Sequence, residues 1–347
     1  MEDQVQAIQR MRSLIYGNWQ TCVTCAFAEL GIADLLDGIA MSVADIAERT
    51  GTHTESLYRF LRCCVQLQFV RVDTDTRTFA LTPFGALLRS DHPFGQRDAA
   101  RLNGASFRYE PWGRLVDILR AGSGAAFSDT HGEGSLDFLK DKPELLEVFQ
   151  RAMSNLSTTE DESIARAYEF DCFRHVVDIG GGHGNFVKAI LRNHPGLRGT
   201  LFDLKASLDS IDDGVCDTYE RLKQVAGDFF LSVPADGDVY TLKNVLHNWP
   251  EDRVELIMRT VRDALRADGE VASKRVLVIE HLMVEDGEDA QSVAPWMDLN
   301  FFILVGGRDR TRREYERLFT RVGFSIARLL PTTTGRTIIE LVVSSAS

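Results

Sequence analysis

The chain has 347 residues, of which 44% are hydrophobic, and a formal net charge of −12. This length allows two domains or one large decorated domain, and the hydrophobic share is ordinary for a protein with a sizeable core. The acidic balance disfavours binding to nucleic acid or anionic membranes, because phosphate binding needs clustered lysines and arginines. No apolar run reaches transmembrane length and the start lacks a signal-peptide pattern, so we expect a soluble, cytoplasmic protein.

The cysteines do not indicate a disulfide framework in a chain of this length. Cys22 and Cys25 form a CxxC pair and Cys63 is adjacent to Cys64, but that spacing does not match a zinc site. Cys22, Cys25 and Cys64 lie in apolar helical patterns, which favours buried free thiols. We therefore expect no metal.

Residues 1 to about 100 have the pattern of helices followed by a small hairpin. Ser42 with Asp45 predicts an N-cap, and Gly31 and Gly51 predict helix ends. Two alternating segments around a polar stretch predict the hairpin. The predicted elements are helices over 12–30, 42–51 and 54–68 and strands over 69–72 and 78–81. This order is typical of a winged helix.

A winged helix raises the possibility of DNA binding. Arg59 and Arg62 lie on the exposed side of the last helix beside Glu55, and the hairpin arginines are opposed by aspartates. This charge is weak for phosphate neutralisation. A structural or dimerising winged helix is favoured, with no nucleic-acid or membrane partner.

After a mostly helical, aromatic-rich insert at about 101–170, strands alternate with helices. The candidate strands are 175–179, 199–203, 223–226, 238–243, 275–280, 324–330 and 337–344. The last two flank a short polar turn, which allows an antiparallel pair. The pattern predicts an α/β, Rossmann-like sheet that is mostly parallel with one antiparallel strand, in a catalytic domain over 101–347.

The run HVVDIGGGHGN at 175–185 reads as a buried strand, a glycine loop and a helix start, which is typical of a nucleotide-type site. Asp178 can accept hydrogen bonds from an ammonium or hydroxyl group. Asp203, at the end of the next strand, suits two ribose hydroxyls. The glycine loop and Asp203 together fit NAD as well as an adenosyl cofactor. Asp228 and Phe229 suit an adenine ring, although Asp228 equally fits a turn cap and Phe229 a core residue.

His247 follows the fourth strand of this region, and the carboxyl ends of strands in an open α/β sheet face the active crevice. A histidine there is either a general base or a structural residue. Pro250 starts an amphipathic helix directly after it.

Seven segments in the same order make the chain resemble the S-adenosylmethionine-dependent O-methyltransferases of the plant caffeate and flavonoid type, which include bacterial enzymes that methylate aromatic antibiotics and pigments. The resemblance spans essentially the whole chain, including the N-terminal dimerisation domain. The matching residues are Val177-Asp-Ile-Gly-Gly-Gly182, Phe202-Asp-Leu204, Gly227-Asp-Phe-Phe230, Leu242-Lys243 with Leu246-His-Asn-Trp249, Glu280, Gly306-Gly-Arg-Asp-Arg-Thr311, and Phe149 with Met153 and Ser157.

The resemblance implies S-adenosyl-L-methionine as cofactor, S-adenosyl-L-homocysteine as product, and a homodimer. Gly180 and Gly182 would pass under the methionine part of the cofactor, and Asp203 would hold the ribose. Asp228 with Phe229 would hold the adenine. The implied cofactor-binding set is Asp178, Gly180, Gly182, Asp203, Asp228, Phe229, Lys243 and Ser157.

The resemblance also implies a catalytic set. His247 would remove the proton of an aromatic hydroxyl, flanked by Glu280 and Asp309. A phenol has a pKa of about 10 and imidazole of about 6.5, so this transfer is uphill by roughly 5 kcal/mol before the site acts. The pocket candidates are Met153, Phe107, Trp112, Met297, Asn300 and Phe301, which imply a flat, apolar acceptor; for Phe302 a core position is favoured.

The chain departs from the family pattern at three positions. Lys205 stands where family members often have a proline after the Asp-Leu pair. Asn248 stands where they often have an aspartate, and Asp309 stands where many of them have glutamate. We assign Asn248 no catalytic role, and the shorter arm of Asp309 leaves its contact open. Alternatives to O-methylation of a phenolic or N-hydroxy acceptor are N-methylation, decarboxylation or hydroxylation on the same scaffold, or a winged-helix regulator that senses an adenosyl ligand.

Overall fold

The computed structural model describes residues 2–122, 124, 126–140, 142–209, 211, 219–267, 269–284 and 294–344, and at 2, 3, 136, 137, 140, 154–159 and 219 only the backbone. Contacts divide the chain into an N-terminal unit of residues 1–113 and 136–156 and a C-terminal unit of residues 114–135 and 157–347. The domain boundary near residue 100 stays a prediction.

The N-terminal unit begins with helices and a small sheet. Its elements up to residue 113 are α1 Glu2–Ile15, α2 Gly17–Glu29, α3 Ile32–Leu35, β1 Met41–Ser42, α4 Val43–Thr50, α5 Thr54–Gln66, β2 Val70–Asp73, β3 Thr78–Leu81, α6 Arg97–Gly104 and α7 Ser106–Gly113. The expected hairpin is present, with Val70 opposite Leu81, and β1 extends it to a three-stranded sheet in the order β1-β3-β2. Phe27, Ile46 and Phe79 are among its buried core residues.

Two expectations for this unit were wrong in detail. The helix expected over 12–30 is two helices, because α1 ends at Ile15 and α2 starts at Gly17, a residue of low helix propensity. Cys22 is exposed rather than buried, since α2 directs Phe27 and Ala28 into the core and Cys22 away from it. Cys64 is buried as expected. The capping of α4 is confirmed, because the Asp45 amide donates to Ser42 Oγ at 3.2 Å.

Four helices follow, of which the last crosses from one unit into the other. They are α8 Leu115–Ala121, α9 Ala126–His131, α10 Ser135–Lys140 and α11 Pro143–Ala167. None of the helices in the described part of the chain combines the length and apolarity needed to cross a membrane.

The C-terminal unit is built on a seven-stranded sheet. Its elements are β4 His175–Ile179, α12 Asn185–Asn193, β5 Arg198–Asp203, α13 Lys205–Asp209, β6 Leu222–Ala226, β7 Val239–Lys243, α14 Glu251–Arg266, β8 Arg275–Glu280, β9 Leu282–Met283, α15 Ala294–Val305, β10 Arg310–Thr311, α16 Arg312–Arg321, β11 Phe324–Pro331 and β12 Thr337–Val343. The sheet order is β11-β12-β8-β7-β4-β5-β6, and β9 pairs with β10 in a separate two-stranded sheet.

All seven strands expected in this sheet are present, and the Rossmann-like fold is confirmed. Strands β4 to β8 pair in parallel, and β12 is the reversed strand, since it runs antiparallel to both β8 and β11. Every residue of β4 is buried, which is typical of a central parallel strand covered on both faces. The parallel strands bring the Gly180 loop, Asp203, Lys243 and Glu280 to one edge of the sheet.

Candidate active site

A tight turn after β7 places His247 in the interior. Asn244 adopts φ of +58°, a left-handed conformation that asparagine tolerates better than most residues. The Asn248 side-chain amide donates to the Asn244 carbonyl at 3.1 Å and closes the turn. His247, in the middle of it, is only 4% exposed. Asn248 thus has a structural contact in the turn that carries the histidine.

Glu280, at the end of β8, holds this turn by both carboxylate oxygens. Oε1 accepts hydrogen bonds from the amides of Leu246 at 2.9 Å and His247 at 3.3 Å. Oε2 lies 3.0 Å from Nδ1 of His247. One fully buried carboxylate therefore fixes the backbone of the turn and also faces the imidazole.

Asp309 approaches the same ring nitrogen from another segment. Its Oδ1 lies 3.6 Å from Nδ1 of His247, and its amide donates to Oδ1 of Asp298 at 2.7 Å. The Asp309 contact is too long for a hydrogen bond and the Glu280 contact does not have hydrogen-bond geometry, so both act on the ring through their charge. Within the described residues, Nε2 of His247 forms no hydrogen bond and remains the ring nitrogen available to a ligand.

The two carboxylates determine the charge of the histidine. Burial favours the neutral ring and so lowers the pKa of His247, but the charges of Glu280 and Asp309 outweigh it and raise that pKa to about 9. Burial would raise the pKa of Glu280, yet the facing His247 holds it below the usual value. The Phe301 ring lies 4.0 Å from the imidazole, centroid to centroid, at an interplanar angle of 35°.

The same three side chains offer a donor set of one imidazole and two carboxylates, with ligand atoms within 4.8 Å of one another. Such a donor set can hold a divalent cation. The absence of a metal requirement therefore stays a prediction.

The glycine loop after β4 depends on glycine at specific positions. Gly180 and Gly182 adopt φ of +67° and +55°, a region that L side chains rarely adopt. A Cβ on Gly181 would lie 2.4 Å from Oδ2 of Asp178, so the loop backbone passes directly over this carboxylate. At the end of β5, the Asp203 carboxylate accepts hydrogen bonds from the amides of Gly182 at 2.8 Å and Leu204 at 2.7 Å.

Two buried carboxylates and one lysine lie below this loop. Asp178 accepts a hydrogen bond from Thr241 Oγ1 at 2.6 Å, and burial raises its pKa to about 7. Lys243 forms a buried ion pair with Asp161 at 2.8 Å. Asp161 was not among the residues expected from the sequence, because it lies in the long helix α11, whose polar positions resemble a solvated face. Burial also raises the pKa of Asp161.

The segment expected to hold adenine has a turn of its own. The Phe230 amide donates to Oδ1 of Asp228 at 2.8 Å, which is the turn cap considered as an alternative. Phe229 is half-buried, and the Cβ position on Gly180 would lie 3.5 Å from its ring, so it lies beside the glycine loop. Both residues therefore remain candidates for the cofactor site.

The pocket candidates fall into two groups. Met297, Asn300 and Phe301 are half-buried on α15, and Phe302 on the same helix packs against Gly124. The others belong to the N-terminal unit, where Phe107 is buried and stacks on Phe138 with centroids 5.5 Å apart. Trp112 and Met153 are half-buried there, and the side chain of Ser157 lies outside the described residues. Their roles stay predictions.

Comparisons with known proteins show what the whole chain is similar to. The model of an O-methyltransferase domain matches residues 112–325, and that of an O-methyltransferase dimerisation domain matches residues 13–91. The chain is 35% identical to "Phenazine O-methyltransferase PhzM" of Lysobacter antibioticus over 94% of each chain. It is 32% identical to "8-amino-8-demethylriboflavin N,N-dimethyltransferase" of Streptomyces davaonensis over 89% of this chain and 88% of the relative.

A solved structure agrees with these matches. The structure of "Mitomycin 7-O-methyltransferase MmcR" superposes with a TM-score of 0.89 at 30% sequence identity, and the match covers 99% of both chains.

Proposed function

The chain belongs to the family of S-adenosylmethionine-dependent O-methyltransferases, and on that premise we propose that it methylates a hydroxyl group of an aromatic small molecule with His247 as general base. The observation that carries the proposal is the placement of Nδ1 of His247 between two buried carboxylates, which leaves Nε2 for the acceptor. Both carboxylates stabilise the imidazolium that forms when the acceptor loses its proton.

The residues at the sheet edge fit S-adenosylmethionine. The left-handed glycines let the backbone approach a ligand closely, and a Cβ on Gly182 would point into open space. Oδ2 of both Asp178 and Asp161 is buried and accepts no hydrogen bond from the described residues, which suits the cationic end of the cofactor. We propose that Asp203 holds the ribose and that Asp228 and Phe229 hold the adenine.

The bound cofactor supplies a methyl group on a sulfonium, which is a good leaving group. The task left to the protein is to align the acceptor oxygen and to remove its proton. Because the pKa of His247 is raised to about 9, proton transfer from a phenol is less uphill than it would be to an ordinary imidazole. The raised pKa also has a cost, because a smaller fraction of His247 is neutral at pH 7 than of an ordinary imidazole.

The residues around His247 favour a flat acceptor. Phe301 packs against the imidazole, and Met297 and Asn300 are half-buried on the same helix, so this wall is largely apolar. We infer that an aromatic ring packs against α15 with its hydroxyl directed at Nε2. The name of the N,N-dimethyltransferase relative makes an aromatic amine the second candidate acceptor.

A matched panel of acceptors tests this function. We expect labelled methyl transfer from S-adenosylmethionine to phenols and N-hydroxy heteroaromatics that depends on His247, whereas any transfer to the corresponding aromatic amines should not depend on it, because only the hydroxyl group requires a base before attack. A naphthol and the aminonaphthalene of the same shape separate the two, and a chelator is expected to leave the rate unchanged. Methylation of the amine alone would overturn the assignment of the acceptor atom.

We further propose that the protein is an obligate C2 homodimer formed through its N-terminal unit. Apolar side chains recur every three or four residues along α1 and continue into the first turn of α2, and they are exposed in the single chain. These exposed side chains are Val5, Ile8, Met11, Leu14, Ile15, Tyr16 and Trp19.

Placing charge on this surface is expected to break the dimer. Leu14→Asp with Trp19→Asp should give a monomer by light scattering and abolish methyl transfer, because burying two carboxylates in an apolar interface is costly. Leu231→Asp is the matched control, since Leu231 is 79% exposed in the C-terminal unit. A wild-type protein that is monomeric and active at assay concentrations would contradict the proposal.

A further inference from the structure

We propose that Arg310 is a positioning residue for the general base: its guanidinium holds the turn that carries His247, so that the imidazole stays between its two carboxylates. This inference rests on the proposed role of His247 as the base. Nothing in the sequence pattern singles out Arg310 beyond its place in the matched segment Gly306–Thr311.

The side chain of Arg310 contacts the backbone on both sides of His247. Arg310 lies at the start of β10 and is 1% exposed. Its Nη1 donates to the carbonyl of Leu246 at 3.1 Å, and its Nη2 donates to the carbonyl of Trp249 at 2.8 Å. These carbonyls belong to the residue before His247 and to the second residue after it, so the guanidinium is bound to the backbone on both sides of the histidine.

The Arg310 guanidinium donates to backbone carbonyls rather than to a carboxylate. Within the described residues it forms no ion pair with a carboxylate, and its Nε has no acceptor. Burial of a guanidinium without a counter-ion is costly, and an apolar side chain of similar volume would fill this space at lower cost. Rigid donation to two carbonyls is what the guanidinium provides and an apolar residue cannot.

Neighbouring residues attach the same segment to the turn. The Arg308 amide donates to the carbonyl of His247 at 2.8 Å, and a Cβ on Gly307 would lie 2.1 Å from that oxygen, so only glycine allows this approach. Asp309 faces Nδ1 from this segment, while Glu280 holds the amides of the turn. One carboxylate therefore holds two amides of this segment, one guanidinium holds the carbonyls of Leu246 and Trp249, and the Arg308 amide holds the carbonyl of His247.

Two substitutions of different severity test the proposal. Arg310→Met is expected to lower kcat by about 10- to 100-fold, because a displacement of about 1 Å at a reacting group has an effect of this size. Affinity for S-adenosylhomocysteine should stay within about twofold. Arg310→Lys, which keeps a charge but loses the fork, should recover part of the rate. The control is Arg312→Met, because Arg312 is exposed and pairs with Glu316.

A double-mutant cycle separates positioning from general stability. If Arg310 acts through the histidine, Arg310→Met should cost little further rate in a His247→Ala background. The acid limb of the kcat–pH profile of Arg310→Met should also move to lower pH, as Nδ1 moves away from Glu280 and Asp309.

The outcomes distinguish this inference from the function on which it rests. A normal rate of the His247→Ala variant would overturn the role of His247 as general base, and with it the premise of this inference. If His247→Ala is slow, and Arg310→Met lowers the rate of the His247→Ala variant by the same factor as that of the wild-type enzyme, only the role of Arg310 is overturned. Loss of S-adenosylhomocysteine affinity in parallel with kcat overturns it too. If Arg310→Met does not fold, Arg310→Lys takes its place in the same cycle.

Discussion

Replacing His247 with alanine is expected to lower the methyl-transfer rate by about 10²–10⁴, which is the usual contribution of a general base. Affinity for S-adenosylhomocysteine, measured by calorimetry, should stay nearly unchanged, because the contacts of His247 are with Glu280, Asp309 and Phe301 and not with the glycine loop. The matched control is His194→Ala, which removes another histidine–aspartate pair, with Asp171 at 2.7 Å.

The dependence of this loss on the acceptor separates a base from a histidine that only shapes the pocket. An acceptor that is already ionised at neutral pH needs no base, so the deficit of His247→Ala should shrink steadily as the acceptor pKa falls. A deficit that is the same for acidic and weakly acidic phenols would assign His247 a steric role. A His247→Ala enzyme that methylates a weakly acidic phenol at nearly the wild-type rate would exclude the role of base altogether.

The strands of the sheet and the edge at which the site residues lie were predictable because they depend on local patterns. Short apolar runs identified β4, β5 and β7, with glycine directly after β4 and aspartate at the end of β5. The topology of parallel strands then places Gly180, Asp203 and His247 at one edge. The reversed strand β12 was predictable for the same reason, since the polar turn before it is too short for a crossover.

The parts that escaped prediction depend on contacts between segments distant in sequence. No periodicity indicates that Arg310 donates to Leu246 and Trp249, or that Asp161 pairs with Lys243. The distance of Asp309 from the ring, 3.6 Å, depends on how the segment at 307–310 packs on the turn. The raised pKa of His247 likewise follows from two carboxylates that the sequence places 33 and 62 residues away.

The pH dependence of the rate should report this raised pKa. Because His247 accepts a proton only when neutral, kcat of the wild-type enzyme is expected to rise with pH and to level off above about 9. Glu280→Gln keeps an oxygen for the amides of Leu246 and His247 but removes the charge that faces Nδ1. The rise should therefore move to lower pH, towards the ordinary imidazole value.

The size of the loss in rate distinguishes Glu280, which supports the base, from His247, which is the base. Glu280→Gln should lose less rate above pH 9 than His247→Ala, because the imidazole is still present, although it is weaker as a base and its imidazolium is less stabilised. The control is Glu340→Gln, which alters a buried carboxylate paired with Arg275 and Arg328 on another part of the sheet. An unchanged profile in Glu280→Gln would show that the ion pair does not set the charge of His247.

The same ion pair makes an independent prediction about stability. A histidine whose pKa is raised on folding stabilises the fold fully below its unfolded pKa of about 6.5 and loses that contribution as pH rises through about 9. The lowered pKa of Glu280 works in the opposite direction, so its contribution is present above about pH 4.3 and is lost only as pH falls through its folded value.

Above pH 9, Glu280 faces a neutral ring in a buried site, with Asp309 nearby and Arg336 as the remaining compensating charge. The Tm of the wild-type protein should therefore fall more between pH 7 and pH 10 than that of Glu280→Gln, in which this charge is absent. Equal slopes of Tm against pH for the two proteins would show that the pair is not ionised in the folded state, and the rate profile would then need another titrating group.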